Sequence, residues 1–208
     1  MGEAAHICGE KPSAARYEAS MTDEQRDSVH NLIYLCADHH IVIDKAEVDW
    51  SVSMLQTLKA SHEAKVRMAL EVAFADVAFP ELENAVSWIS SQVPAGNGSF
   101  ELVSPEEKIR KNELSNGSRH IIACGLMSLT TVSDYIEAEA QQDPDFPGRL
   151  KAGFLEHYCY LRKVGHKSDE LFELMCDFSQ RGMCRQADRT AGLAVLIYLF
   201  EICDVFES

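Results

Sequence analysis

His40 and Asp44 stand four residues apart in HNLIYLCADHHIVIDK, residues 30–45. On a helix this spacing puts both side chains on one face, where an imidazole nitrogen and a carboxylate oxygen can reach a single ion. The donor pair suits Mg²⁺, Mn²⁺, Zn²⁺ or a similar metal. His39 and Ile43 share the neighbouring face, and Ile43 is expected to pack inward. His40 is therefore the better ligand of the two adjacent histidines. Taken alone, such a pair also recurs by chance at solvated helix ends. Two more polar residues accompany it. His6, in EAAHI, lies on a short apolar run near the N-terminus. Asn31 precedes a second apolar run, where its side chain could pin a loop through backbone hydrogen bonds or simply occupy a turn.

These residues need elements to position them. Residues 1–8 read as a strand or extended turn, 9–28 as polar loop, 31–36 as β-prone and 37–45 as a short helix. DWSVSMLQTLKASHEAKVRMALEVAFADV follows with helical spacing at Val52, Leu55, Leu58, Val66 and Leu70, and Ser51 is its N-cap candidate. Pro80 begins a weaker segment, and SQVPAGNGS at 91–99 has the composition of a linker. From Ser104 onward the pattern is helical. Ser104-Pro105-Glu106-Glu107 is a good helix start, with proline at the first helical position and acids in the first turn. Four further helical stretches follow, ending in the apolar AGLAVLIYLFEI. The expected fold is mainly α with a small α+β module, divided as 1–75, a helical connector and linker at 76–104, and an all-helical domain at 105–208.

The order His6, Asn31, then His40 with Asp44 resembles the HNH (ββα-metal) endonuclease superfamily. NLIYLC is similar to that family's NLxxLC strand, and HHIVIDK to the metal-binding helix of colicin-like nucleases. SAARYEASMTDEQRDSVHNLIYLCADHHIVID is similar to a bacterial HNH subgroup in which an Arg-Tyr pair follows the first histidine. The resemblance covers residues 3 to about 65. It implies a ββα-metal fold, with His6 as general base near its working pH. His40 and Asp44 would be metal ligands, and Asn31 would hold the connecting loop. It also implies Arg16 as a phosphate clamp, since a guanidinium grips phosphate bidentately, and His39 as a supporting residue where many relatives carry cysteine. Two departures stand out. Residue 5 is Ala where many HNH enzymes place a further metal ligand, which favours a weakly held Mg²⁺ or Mn²⁺ over permanent Zn²⁺. The upstream CxxC segment of many relatives is missing, so this is a minimal variant or its front has been lost.

Composition narrows the partners. The formal net charge is −14, and such a surface repels nucleic acid at long range. Residues 1–75 hold 12 acidic and 7 basic side chains, net −5, so most of the acidity lies in the second part. A DNA-cutting site must then be small and local, or a partner must supply a basic groove. Seven cysteines without CxxC spacing read as reduced core thiols of a cytoplasmic protein. No signal peptide and no apolar run of membrane-span length are evident, so no membrane is expected. Nothing after residue 100 looks catalytic.

SPEEKIRKNELS and AGLAVLIYLFEICDVFES resemble the ends of C-terminal domains in bacterial ABC-three-component (Lamassu-like) antiviral effectors. That likeness implies self-association through residues 105–208. It also implies docking onto an SMC-like ABC ATPase with a further small subunit. Two function classes follow. One is a metal-dependent nuclease effector; the other is a catalytically degenerate HNH module acting as an assembly subunit.

Overall fold

A computed structural model describes residues 2–90, 104–202 and 206. The chain divides into two compact units, Met1–Met68 and Ala69–Ser208.

The first unit opens with strand β1 (Gly2–His6), helix α1 (Asp23–Asp27), a 3-10 turn at Val29–Asn31, strand β2 (Leu32–Cys36) and helix α2 (Ala37–Lys45). The long helix α3 (Val52–Ala75) begins in this unit. β1 and β2 pair antiparallel, from Gly2 opposite Cys36 to His6 opposite Leu32. β2 is LIYLC, branched and aromatic residues that fit a half-buried pleated surface. α2 begins at once beyond it. Ile43 is the buried residue of α2, and it meets Ile7 and Leu55 in a small core flanked by Ile33, Leu35, Trp50 and Val52. Ser51 caps α3, its hydroxyl accepting the Met54 N–H at 3.3 Å.

Residues 9–28 were expected as plain loop. They contain α1, closed by a capping box in which Thr22 and Gln25 satisfy each other's backbone N–H groups. The rest of this segment has little regular structure and is tied down by side chains. Arg26 is buried; it donates to the carbonyls of Glu18 at 2.8 Å and Met21 at 2.9 Å, and its guanidinium lies 4.3 Å from the centre of the Tyr17 ring.

The second unit contains helices α4 (Phe79–Ser90), α5 (Pro105–Lys111), α6 (Asn116–Gly125), α7 (Leu129–Gln142), α8 (Phe146–Val164), α9 (Ser168–Ser179) and α10 (Gln186–Ile202). Ser104 caps α5 as its sequence suggests. The first of the helical stretches expected after α5 is interrupted by a 3-10 turn, Leu126–Ser128, which separates α6 from α7. α10 is the central helix: Ala191, Ala194, Val195, Leu196, Ile197, Leu199 and Phe200 are all buried. Gly192 is required there, because a Cβ would come within 2.0 Å of the Ser179 carbonyl oxygen.

Two expectations need correcting. Residues 76–90 are no connector. Leu82, Ala85, Val86 and Ile89 form an i, i+3, i+4, i+7 stripe that packs α4 into the core, chiefly against α10. Pro80 does not weaken this helix, because it occupies the first turn, where no helical N–H partner is lost. The linker expected at 91–99 lies outside the described residues. The second correction concerns length. Among the described residues, Asn116–Gln142 is long and apolar enough to cross a membrane by length and composition, although 39% of that window is buried within the fold. Ile122, Val132, Tyr135 and Ile136 of this run belong to the core.

Candidate active centre and metal site

The two strands and α2 bring the singled-out residues to one place. His6 ends β1, while His40 and Asp44 lie one turn apart on α2. All three line a cleft of about 150 Å³, together with Gly9, Glu10, Lys11, Ala14 and Ala15. His40 Nε2 is 3.3 Å from Asp44 Oδ2. The other ring nitrogen, Nδ1, is 2.8 Å from Glu3 Oε1 on β1.

This geometry constrains protons. An ionised carboxylate only accepts, so a hydrogen bond to Glu3 puts a proton on Nδ1. In the neutral ring, Nε2 then carries a lone pair aimed at Asp44, itself an acceptor. Two acceptors at 3.3 Å need a cation between them or a second proton on the ring. A histidine oriented by a carboxylate on its far nitrogen is the arrangement that supports metal ligation. The donor set therefore fits a divalent cation, with solvent and substrate completing its shell. Glu3 was missed in the sequence. The available signal was strand period: Glu3 lies two residues before Ala5, on the same side of β1. Ala5 itself is buried and offers no ligand.

His6 is about one-third exposed, and its Nε2 lies 4.0 Å from Asp27 Oδ1 at the end of α1. Asp27 is a second carboxylate that sequence reasoning missed, because its helix was unrecognised. Asn31 is buried and uses its whole amide. Its Oδ1 accepts the Cys8 N–H at 2.9 Å, and its Nδ2 donates to the carbonyls of Cys8 and Arg26, each at 2.9 Å. The Asn31 carbonyl also accepts the Ile7 N–H at 2.7 Å. The residue thus fixes the backbone immediately after His6, and it has no place in the cleft lining.

Arg16 departs from the sequence expectation. Its side chain is 4% exposed. Nε donates to the Ile7 carbonyl and Nη1 to the Ile43 carbonyl, both at 2.9 Å, and Nη2 donates to Asp44 Oδ1 at 2.6 Å. A guanidinium committed to three partners is a clasp between the end of β1, α2 and the Asp44 carboxylate, rather than a phosphate clamp. Its backbone adopts φ +55, an uncommon conformation held here by the surrounding bonds. Lys11 is the exposed cation that lines the cleft.

His39 is not among the cleft residues. Its Nδ1 lies 2.9 Å from Cys36 Sγ. The Cys36 thiol is lowered from its ordinary range by the His39 backbone N–H and then by the ring, and the His39 imidazole is raised by the same contact. Both changes favour a thiolate–imidazolium pair on the surface at the start of α2.

Comparison with known proteins agrees with this geometry. A family model described as HNH endonuclease matches residues 1–48. The match takes in β1, β2, α2 and all eight cleft residues. No curated protein and no solved structure matches the chain. The match supports an HNH module at the N-terminus, and with it nuclease chemistry on a nucleic acid with a divalent metal.

Proposed function

We propose that residues 1–48 cut DNA phosphodiester bonds in a metal-dependent reaction. The carrying observation is that His6, His40 and Asp44 line one cleft within the segment that matches the HNH endonuclease model. His6 takes a proton from the attacking water. Asp27 near Nε2 biases the ring to carry its own proton there, which leaves Nδ1 as the base. Glu3 orients His40, and Arg16 orients Asp44. His40 and Asp44 would hold a divalent ion, Mg²⁺ or Mn²⁺ in preference to Zn²⁺, which would supply stabilisation for charge developing on the phosphate and the departing 3′ oxygen. Lys11 meets the incoming phosphate, the role first assigned to Arg16.

The helical unit carries the assembly part of the proposal. Residues 105–208 self-associate and dock the chain onto an SMC-like ABC ATPase and a further small subunit, as the nuclease effector of a bacterial anti-phage complex. A chain of net charge −14 gains little affinity from phosphate neutralisation on its own. Several modules held together would let weak contacts act jointly.

The test incubates the full chain with plasmid DNA and Mg²⁺ or Mn²⁺, alone and with the products of neighbouring genes. Divalent-dependent nicking that grows with the partners is expected, and it should vanish in His40→Ala and Asp44→Ala. A second reading, an HNH module retained only for assembly, draws on the buried Ala5. It predicts normal assembly and no cleavage under any of these conditions.

A further inference from the structure

The second unit holds a different set of donors. Glu71 on α3, with His120 and Cys124 on α6, place one oxygen, one nitrogen and one sulfur within 4.8 Å of one another. His120 Nε2 and Cys124 Sγ are 3.3 Å apart. In a tetrahedral zinc shell with Zn–S about 2.3 Å and Zn–N about 2.0–2.1 Å, the S···N edge is about 3.5 Å. The present separation is close to that without an ion. His120 and Cys124 are i, i+4 on one helix, so both face the same way.

The backbone that presents these groups is packed. The end of α3 is fixed by Phe74, which is fully buried, and by the Ser128 hydroxyl, which donates to the Phe74 carbonyl at 2.7 Å. Glu71 lies one turn before Phe74 and is the most exposed of the three. α6 is pressed onto α10, since a Cβ at Gly125 would come within 2.1 Å of Ile197 Cδ1. Cys124 is buried and His120 half-buried. Ligands on rigid elements need little reorganisation on binding a metal.

We propose that Glu71, His120 and Cys124 bind Zn²⁺, and that the ion clips the end of α3 to α6. A thiolate beside an imidazole and a carboxylate selects zinc over Mg²⁺, which prefers oxygen donors. Three protein ligands leave one position for water on the more exposed Glu71 side. The site is chemically distinct from the His40/Asp44 pair, which has no sulfur, and it does not depend on nuclease activity.

Co²⁺ is the probe, because a thiolate ligand gives it a near-ultraviolet charge-transfer band. The reduced, metal-stripped full chain should bind Co²⁺ with that band, and Zn²⁺ should displace it. Cys124→Ser should lose the band, while His40→Ala should keep it. Glu71→Gln changes the most exposed of the three side chains and spares the core. It should retain the band but bind Co²⁺ at least about tenfold more weakly, since even residues that only orient a ligand cost about that much. If Cys124→Ser fails to fold, the affinity of Glu71→Gln decides. A wild-type chain without the band overturns the site. So does a band that survives Cys124→Ser through Cys36, Cys159 or Cys184, or a Glu71→Gln chain that binds as tightly as wild type.

Discussion

Asn31→Ala is the sharpest probe of how the loop holds the active centre. The substitution strips partners from three buried backbone groups: the Cys8 N–H, the Cys8 carbonyl and the Arg26 carbonyl. At about 1 kcal/mol net for each hydrogen bond, the loss is about 3 kcal/mol, and more where water cannot enter to replace the amide. A factor of ten corresponds to about 1.4 kcal/mol, so the local opening equilibrium should rise about 100-fold. The first unit has little to absorb this, because its core rests on Ile7, Ile43 and Leu55. Native-state hydrogen exchange of the full chain reads the effect residue by residue. The Cys8 and Ile7 amides should exchange about 100-fold faster, the α10 amides should be unchanged, and cleavage should fall with the loss of a fixed His6. Wild-type exchange at Cys8 in Asn31→Ala would refute the reasoning, since it would mean that the amide carries no load.

Two further outcomes follow from the same structure. Arg16→Lys should weaken metal binding about 10- to 100-fold, because one ammonium cannot serve the Ile7 carbonyl, the Ile43 carbonyl and Asp44 together; titration calorimetry with Mn²⁺ checks this. In the helical unit, burial pushes the Asp169 carboxyl up, but hydrogen bonds from Ser118 and Ser115 outweigh it and leave the group below the ordinary range. A group depressed in the fold adds stability that is present above its unfolded value of about 3.9 and is lost as pH falls through its folded value. Asp169→Asn should therefore destabilise the protein at neutral pH and flatten the acid limb below about pH 4 in thermal melts.

The elements around the candidate site were legible because local patterns agree with the fold there. The branched run Leu32–Cys36 is a strand, Ala37–Lys45 is a helix, and i, i+4 spacing placed His40 beside Asp44. Legibility failed where tertiary contacts decide. Arg16 looked like a free loop cation, yet carbonyls 9 and 27 residues away in sequence claim it. Glu3 and Asp27 gained their places only once β1 paired and α1 formed. α4 was read as a connector because Pro80 and the following polar residues drew attention from its stripe at Leu82, Ala85, Val86 and Ile89. The Glu71, His120 and Cys124 set was invisible for the same reason, since its carboxylate arrives from a different helix.

The central claim is that His6 is the base and the His40/Asp44 pair holds the metal. His6→Ala separates the two roles directly. Cleavage of plasmid DNA by wild-type and His6→Ala chains should be timed at saturating Mn²⁺, with Mn²⁺ affinity measured on the same preparations. The account predicts that His6→Ala loses cleavage while its Mn²⁺ affinity stays near wild type. A His6→Ala chain that cuts at the wild-type rate under saturating metal would contradict it.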